Sequence, residues 1–145
     1  LSKHYLKGML DRNWGRILFI SSECAYLVPP DMISYSATKA SMHAVSRGLA
    51  HITRGTEVTS NVIVPGSTLT KGAKNFLNEK AITENTSIDN IEKDFFNNTR
   101  TSSLLERFAS TDEVANTITY LCSPLSSATN GSVIKVDGGS SGGIL

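Results

Sequence analysis

Cysteine is scarce. The 145 residues hold only Cys24 and Cys122, far apart and without paired spacing. That excludes a multi-disulfide framework and a thiolate metal set, and fits reduced thiols in a cytosolic setting. Charge of one sign is missing as well. Fourteen Lys and Arg against 13 Asp and Glu leave a net charge of +1, with no electrostatic footprint for nucleic acid or an anionic membrane. Long apolar runs are absent: the stretch 17–20 is far too short to span a bilayer, and no signal-peptide pattern is recognisable, so a soluble, cytoplasmic protein is expected. His4, His43 and His51 share no ligand spacing, so no metal site is expected, and no internal repeat is found.

What remains is the composition of one domain, 1–145, with a single core. The chain opens at Leu1 in amphipathic sequence, as expected of the C-terminal portion of a longer protein. Apolar Tyr5, Leu6, Met9 and Leu10 recur at helical spacing before Gly15. Ile17-Leu18-Phe19-Ile20 is the continuous apolar pattern of a strand covered on both faces. Pro29-Pro30 predicts a loop outside helix, and helical periodicity resumes from about 35 to 53. In that helix Ala37, Ala40, Ser41, Ala44 and Gly48 keep one side slim enough for close approach by a sheet or by another helix.

A second strand is expected over 58–64, ended by Pro65-Gly66. The polar segment 67–105 contains short helices near 71–78 and 88–98. Ser110-Thr111-Asp112-Glu113 reads as a capping box that starts a helix running to about Cys122. Asn130-Gly131 marks a turn before a last strand at 132–136, and the glycine-rich stretch 138–143 reads as a loose terminus. Strands alternating with helical crossovers predict an α/β fold, a doubly wound parallel sheet with right-handed crossovers and helices on both faces.

Chemistry concentrates in 21–39. Tyr35 and Lys39 lie four residues apart, which on a helix puts phenol and ammonium on one face, about 5–6 Å apart at Cβ. A tyrosine titrates near 10 and is a poor acid or base at neutral pH. A positive charge about 4 Å away, at an effective dielectric near 20, contributes roughly 4 kcal/mol toward the phenolate, enough to bring it into the range of general acid–base catalysis. Ser22, at a strand end, could donate to a substrate oxygen and hold it near Tyr35. No hydrolase triad is visible.

Four segments in order resemble motifs of the short-chain dehydrogenase/reductases, particularly members like the 3-oxoacyl-acyl-carrier-protein reductases. They are 15–22, ending in Ser21-Ser22; Tyr35-Ser36-Ala37-Thr38-Lys39; Pro65-Gly66-Ser67-Thr68-Leu69-Thr70; and Asn130-Gly131 with Asp137-Gly138-Gly139. The resemblance implies a Rossmann-like fold and hydride transfer between NAD or NADP and a carbonyl or alcohol. It makes Tyr35 the acid–base, Ser22 the group that orients the substrate oxygen, and Lys39 the residue that lowers the tyrosine pKa and binds the nicotinamide ribose. Pro65, Gly66, Thr68 and Thr70 become the loop against the nicotinamide, with Thr68 acting through its backbone and Thr70 through its hydroxyl. Asp137-Gly138-Gly139 is a structural motif. The region 71–108 corresponds to the substrate lid, where Phe76, Leu77, Phe95 and Phe96 would line a flap. The partners implied are a small-molecule substrate and further copies of the chain, as a homodimer or homotetramer.

Departures from the family pattern are equally plain. The glycine-rich phosphate loop, the residue that separates NAD from NADP and the asparagine of the catalytic tetrad are not among these residues, so the N-terminal βαβ units of the fold are missing. Thr68 stands where an aliphatic residue is usual. The expectation is a chain that alone turns over no substrate. Two other readings stay open: a truncated, non-catalytic assembly protein, and an isomerase or dehydratase on the same scaffold.

Overall fold

In the computed structural model, which describes residues 1–143, Val58–Pro65 forms the middle strand (β2) of a three-stranded parallel sheet. It lies between Gly15–Ile20 (β1) and Val133–Val136 (β3). Residues from Val58 to Val64 are all buried, as a strand with layers on both sides requires. Ser60 and Asn61 are tolerated there because each finds a partner. The Ser60 hydroxyl pairs with Ser46 at 3.0 Å, and the Asn61 amide bonds the backbone of Thr129 and Ser132.

The alternation of side chains identifies the two faces. Ser46 belongs to the long helix Ile33–Ile52 (α3), and a Cβ on Gly15 would sit 2.5 Å from Met9 Sδ in Ser2–Asp11 (α1). Gly15 is in register with Val58, so Gly15 and Ser60 share a face, and α1 and α3 cover it. Arg16 points the other way and donates to the Ser123 carbonyl at the end of Thr111–Cys122 (α6). The sheet is thus covered on both sides.

One expectation is corrected here. The strand order is β1-β2-β3, so two right-handed crossovers would place both connecting helices on one face. With α3 and α6 on opposite faces, the β2-to-β3 connection has the opposite hand to the β1-to-β2 connection. Handedness depends on which face a helix finds, and no local pattern records that.

Between β1 and α3 the predicted loop contains a single helical turn, Cys24–Leu27 (α2), and a 3₁₀ turn, Pro30–Met32. Pro30 opens the latter, a position where its missing N–H costs nothing. The slim stripe of α3 faces away from the sheet: Ala37, Ala40, Ser41, Ala44 and Gly48 are exposed, while Ser36 and Ser46 point inward. The glycine tail is also ordered rather than loose. Asp137 accepts from Gly139 N and from the Ser141 N–H and hydroxyl, and Ser140 is buried beneath Ser102.

The excursion from β2 to α6 forms Lys71–Thr83 (α4), Ile88–Asp94 (α5) and a π-helical turn, Phe95–Thr99. It packs a small core of its own, Leu77, Ala81 and Ile91 against Leu69 and Phe108. Ser110 and Glu113 cap α6 reciprocally, at 3.1 and 2.7 Å, as the sequence predicts.

Candidate active site

The end of β1 delivers Ser22 half-buried beside the start of α3. Its Oγ accepts from the Cys24 N–H at 3.2 Å, which uses a lone pair and leaves the hydroxyl proton to donate. Tyr35 stands in the first turn of α3 and is 41% exposed. Lys39, one turn on, holds its ammonium 5.5 Å from the Tyr35 ring centroid and donates to the Ile20 carbonyl at 2.9 Å. Among the described residues two of its three N–H donors remain. Among the described residues Ser22, Tyr35 and Lys39 make no direct hydrogen bond to one another; Lys39 is beside the Tyr35 ring and bonds Ile20, two residues before Ser22.

His43 extends the row 35, 39, 43 by one further turn, a spacing that could have singled it out in the sequence. Ser21 Oγ donates to the Lys39 carbonyl at 3.0 Å and lies 2.9 Å from His43 Nε2. With its only proton committed to Lys39, Ser21 can only accept, so the imidazole presents Nε2–H. Burial pushes the His43 imidazole below its usual range, which favours this neutral form. The contact anchors the helix turn that carries Lys39.

The second predicted cluster meets the first through one backbone bond, Glu23 N–H to the Pro65 carbonyl at 2.9 Å. Gly66 is required by space, since a Cβ there would lie 2.6 Å from Asp137 Cα. Thr68 Oγ1 turns back onto the Gly66 carbonyl, and strand-like bonds with Ala109 hold 67–69 in place. Thr70 caps α4 by accepting from Ala73 N at 3.2 Å. Among the described residues neither the Thr68 N–H nor the Thr70 O–H is spent on another group.

Of the residues expected to line a flap, Leu77 and Phe96 are buried as core, Phe95 stacks on Phe108, and Phe76 is exposed. A depression of about 240 Å³ between Leu69, Lys74, Leu77 and Glu92 opens next to the 65–70 loop. Among the described residues no helix is long and apolar enough to cross a membrane, and Cys24 and Cys122 are unpaired.

Comparison with known proteins finds relatives over nearly the whole chain. A family profile described as enoyl-(acyl carrier protein) reductase matches residues 1–141. The uncharacterized oxidoreductase YvaG of Bacillus subtilis (strain 168) is 41% identical over 139 residues, 96% of this chain and 53% of that protein. The 3-oxoacyl-[acyl-carrier-protein] reductase FabG of Aquifex aeolicus is 30% identical, over 96% of this chain and 50% of its own length. L-sorbose reductase from Gluconobacter frateurii, crystallised with NADPH and L-sorbose, superposes with a TM-score of 0.87 at 27% identity, covering 99% of this chain and 54% of that one. The chain spans about half the length of the curated relatives it matches.

Proposed function

The chain belongs to the short-chain dehydrogenase/reductase family, and on that premise we propose that it is the substrate-side half of an oxidoreductase that transfers hydride between NAD or NADP and a small or acyl-type carbonyl or alcohol. The observation that carries the reading is the row on α3, an exposed Tyr35 with the Lys39 ammonium beside its ring, held against the strand end that presents Ser22. A carbonyl that gains hydride develops negative charge on oxygen. Ser22 donates its free proton to that oxygen and holds it, and Tyr35 delivers the proton that completes the alcohol; the reverse reaction runs the same groups backward.

The groups left unspent suit a nicotinamide nucleotide. The remaining Lys39 donors and the Tyr35 hydroxyl fit a ribose, and the Thr68 N–H and Thr70 O–H fit a carboxamide, with Pro65 and Gly66 shaping the loop that presents them. When bound, the nicotinamide supplies or accepts the hydride. Lys39 places its ammonium beside the ring of the group whose proton moves. The exposed slim stripe of α3 suits a homodimer or homotetramer, because small side chains let helices approach closely. The phosphate-binding half would come from a longer polypeptide.

The decisive experiment follows nicotinamide fluorescence as NADPH or NADH is added to the full-length protein, then its oxidation with carbonyl substrates. Binding and turnover are expected, with turnover lost and binding retained in Tyr35→Phe. A full-length protein that binds neither nucleotide would overturn the reading, as would micromolar nucleotide binding by these 145 residues alone overturn the division into halves.

A further inference from the structure

Glu23 follows Ser22 directly and is 3% exposed. Its Oε1 accepts from Arg100 Nε at 2.9 Å and from the Ser67 hydroxyl at 3.1 Å. Its backbone N–H holds the Pro65 carbonyl. Arg100 is itself largely buried; its guanidinium lies 5.9 Å from the Phe95 ring centroid and 3.8 Å from Cys24 Sγ. A buried carboxylate and guanidinium cost several kcal/mol each to desolvate, and an apolar pair of the same volume often serves stability as well or better. Among the described residues Glu23 Oε2 has no hydrogen-bond partner, so this ion pair is not even fully satisfied there. Stability is therefore a weak reason for it.

Its position in the chain supplies a better one. The excursion carrying α4 and α5 departs at Ser67, and its π-helical turn ends at Arg100, 44 and 77 residues from Glu23. One carboxylate thus joins the start of the excursion to the end of its π-helical turn, next to the serine that would hold the substrate oxygen. We propose that Glu23 and Arg100 are positioning residues that clasp the α4–α5 excursion at a set distance from Ser22 and so shape the substrate site. This rests on the oxidoreductase reading for its catalytic consequence, though not for the clasp itself.

The test uses the full-length protein as wild type, Glu23→Gln, Arg100→Met and the double variant. Glu23→Gln keeps the shape and the Ser67 bond but removes the charge; the double variant leaves no unpaired buried charge. Two readouts are taken. Amide hydrogen exchange should quicken by about tenfold or more across 71–100 in both single variants and in the double, with α6 and β2 unchanged. The substrate KM should rise by about tenfold or more in all three, with nucleotide affinity retained, even where the double variant recovers the wild-type melting temperature. Exchange that quickens evenly across the chain, or a double variant that recovers KM together with melting temperature, would show a merely structural pair and overturn the proposal. If the wild type turns over no substrate, the oxidoreductase reading fails, and the exchange arm still decides whether the clasp exists.

Discussion

Lys39 Nζ lies 2.9 Å from the carbonyl oxygen of Ile20, so the lysine on the second turn of α3 is moored to the last residue of β1. Helix and strand reach that point from opposite ends of a loop that includes Ser22. The bond sets the approach of Tyr35 to the strand end as much as any contact of Tyr35 itself.

Replacing Lys39 with Met keeps length and removes both the mooring and the charge. In the full-length protein kcat should fall by about a hundredfold or more, the scale of a lost acid–base contribution, with the fold retained by circular dichroism. Steady-state kinetics decide this, and an unchanged kcat would remove Lys39 from the mechanism.

Gly66 and Gly48 should respond in opposite directions to alanine. At Gly66 the new methyl meets Asp137 backbone at 2.6 Å, and backbone cannot rotate away, so a loss of about 1–3 kcal/mol is expected. At Gly48, in the interior of α3, nothing of the same chain lies within 4 Å, and alanine should stabilise the helix of the unassociated chain by about 0.5–1 kcal/mol. Denaturant melts of the two variants measure both; destabilisation at Gly48 would mean that another surface already fills that space.

Ser46 and Ser60 form a buried hydroxyl pair between α3 and β2. Ser46→Ala strands the Ser60 hydroxyl and should cost about 1–3 kcal/mol, whereas the double change to alanine should cost less than the sum of the singles. A double-mutant cycle by urea unfolding tests it. Strict additivity would mean that the pair makes no net contribution.

The Arg107 guanidinium, bonded twice to the Glu113 carboxylate, and the Ser110 N–H hold that group at about 2, well below the usual carboxylate range. A carboxylate whose pKa is depressed on folding adds stability above its unfolded value and loses it as pH falls through the folded one. Glu113→Gln should therefore melt lower than wild type at pH near 6, with the gap closing between about pH 4.5 and 2. A gap independent of pH across that window would show that the charge is immaterial to the cap.

How much of this was legible in the sequence follows from the range of each interaction. The capping box at Ser110 and Glu113, the strand at Val58–Pro65 and the Tyr35–Lys39 spacing depend on residues within a few positions of one another. A turn or a strand pair reads its own neighbours, so these could be named from order alone. The one-turn α2 escaped because four residues show no periodicity.

Other features were decided by packing. The face chosen by α6 against β1, set in part by Arg16 and Ser123 at a separation of 107 residues, fixes the hand of the last crossover. The outward turn of the slim stripe on α3 follows from which side Ser36 and Ser46 bury. Ordering of the glycine tail follows from Asp137 and Ser102, and the burial of Glu23 from Arg100. The residue types carried the proposed chemistry: a serine, a tyrosine, a lysine and a loop proposed to meet a nicotinamide. Tertiary structure alone joined them to His43 and Glu23, because free energies of burial and ion pairing arise only when distant segments exclude water between them.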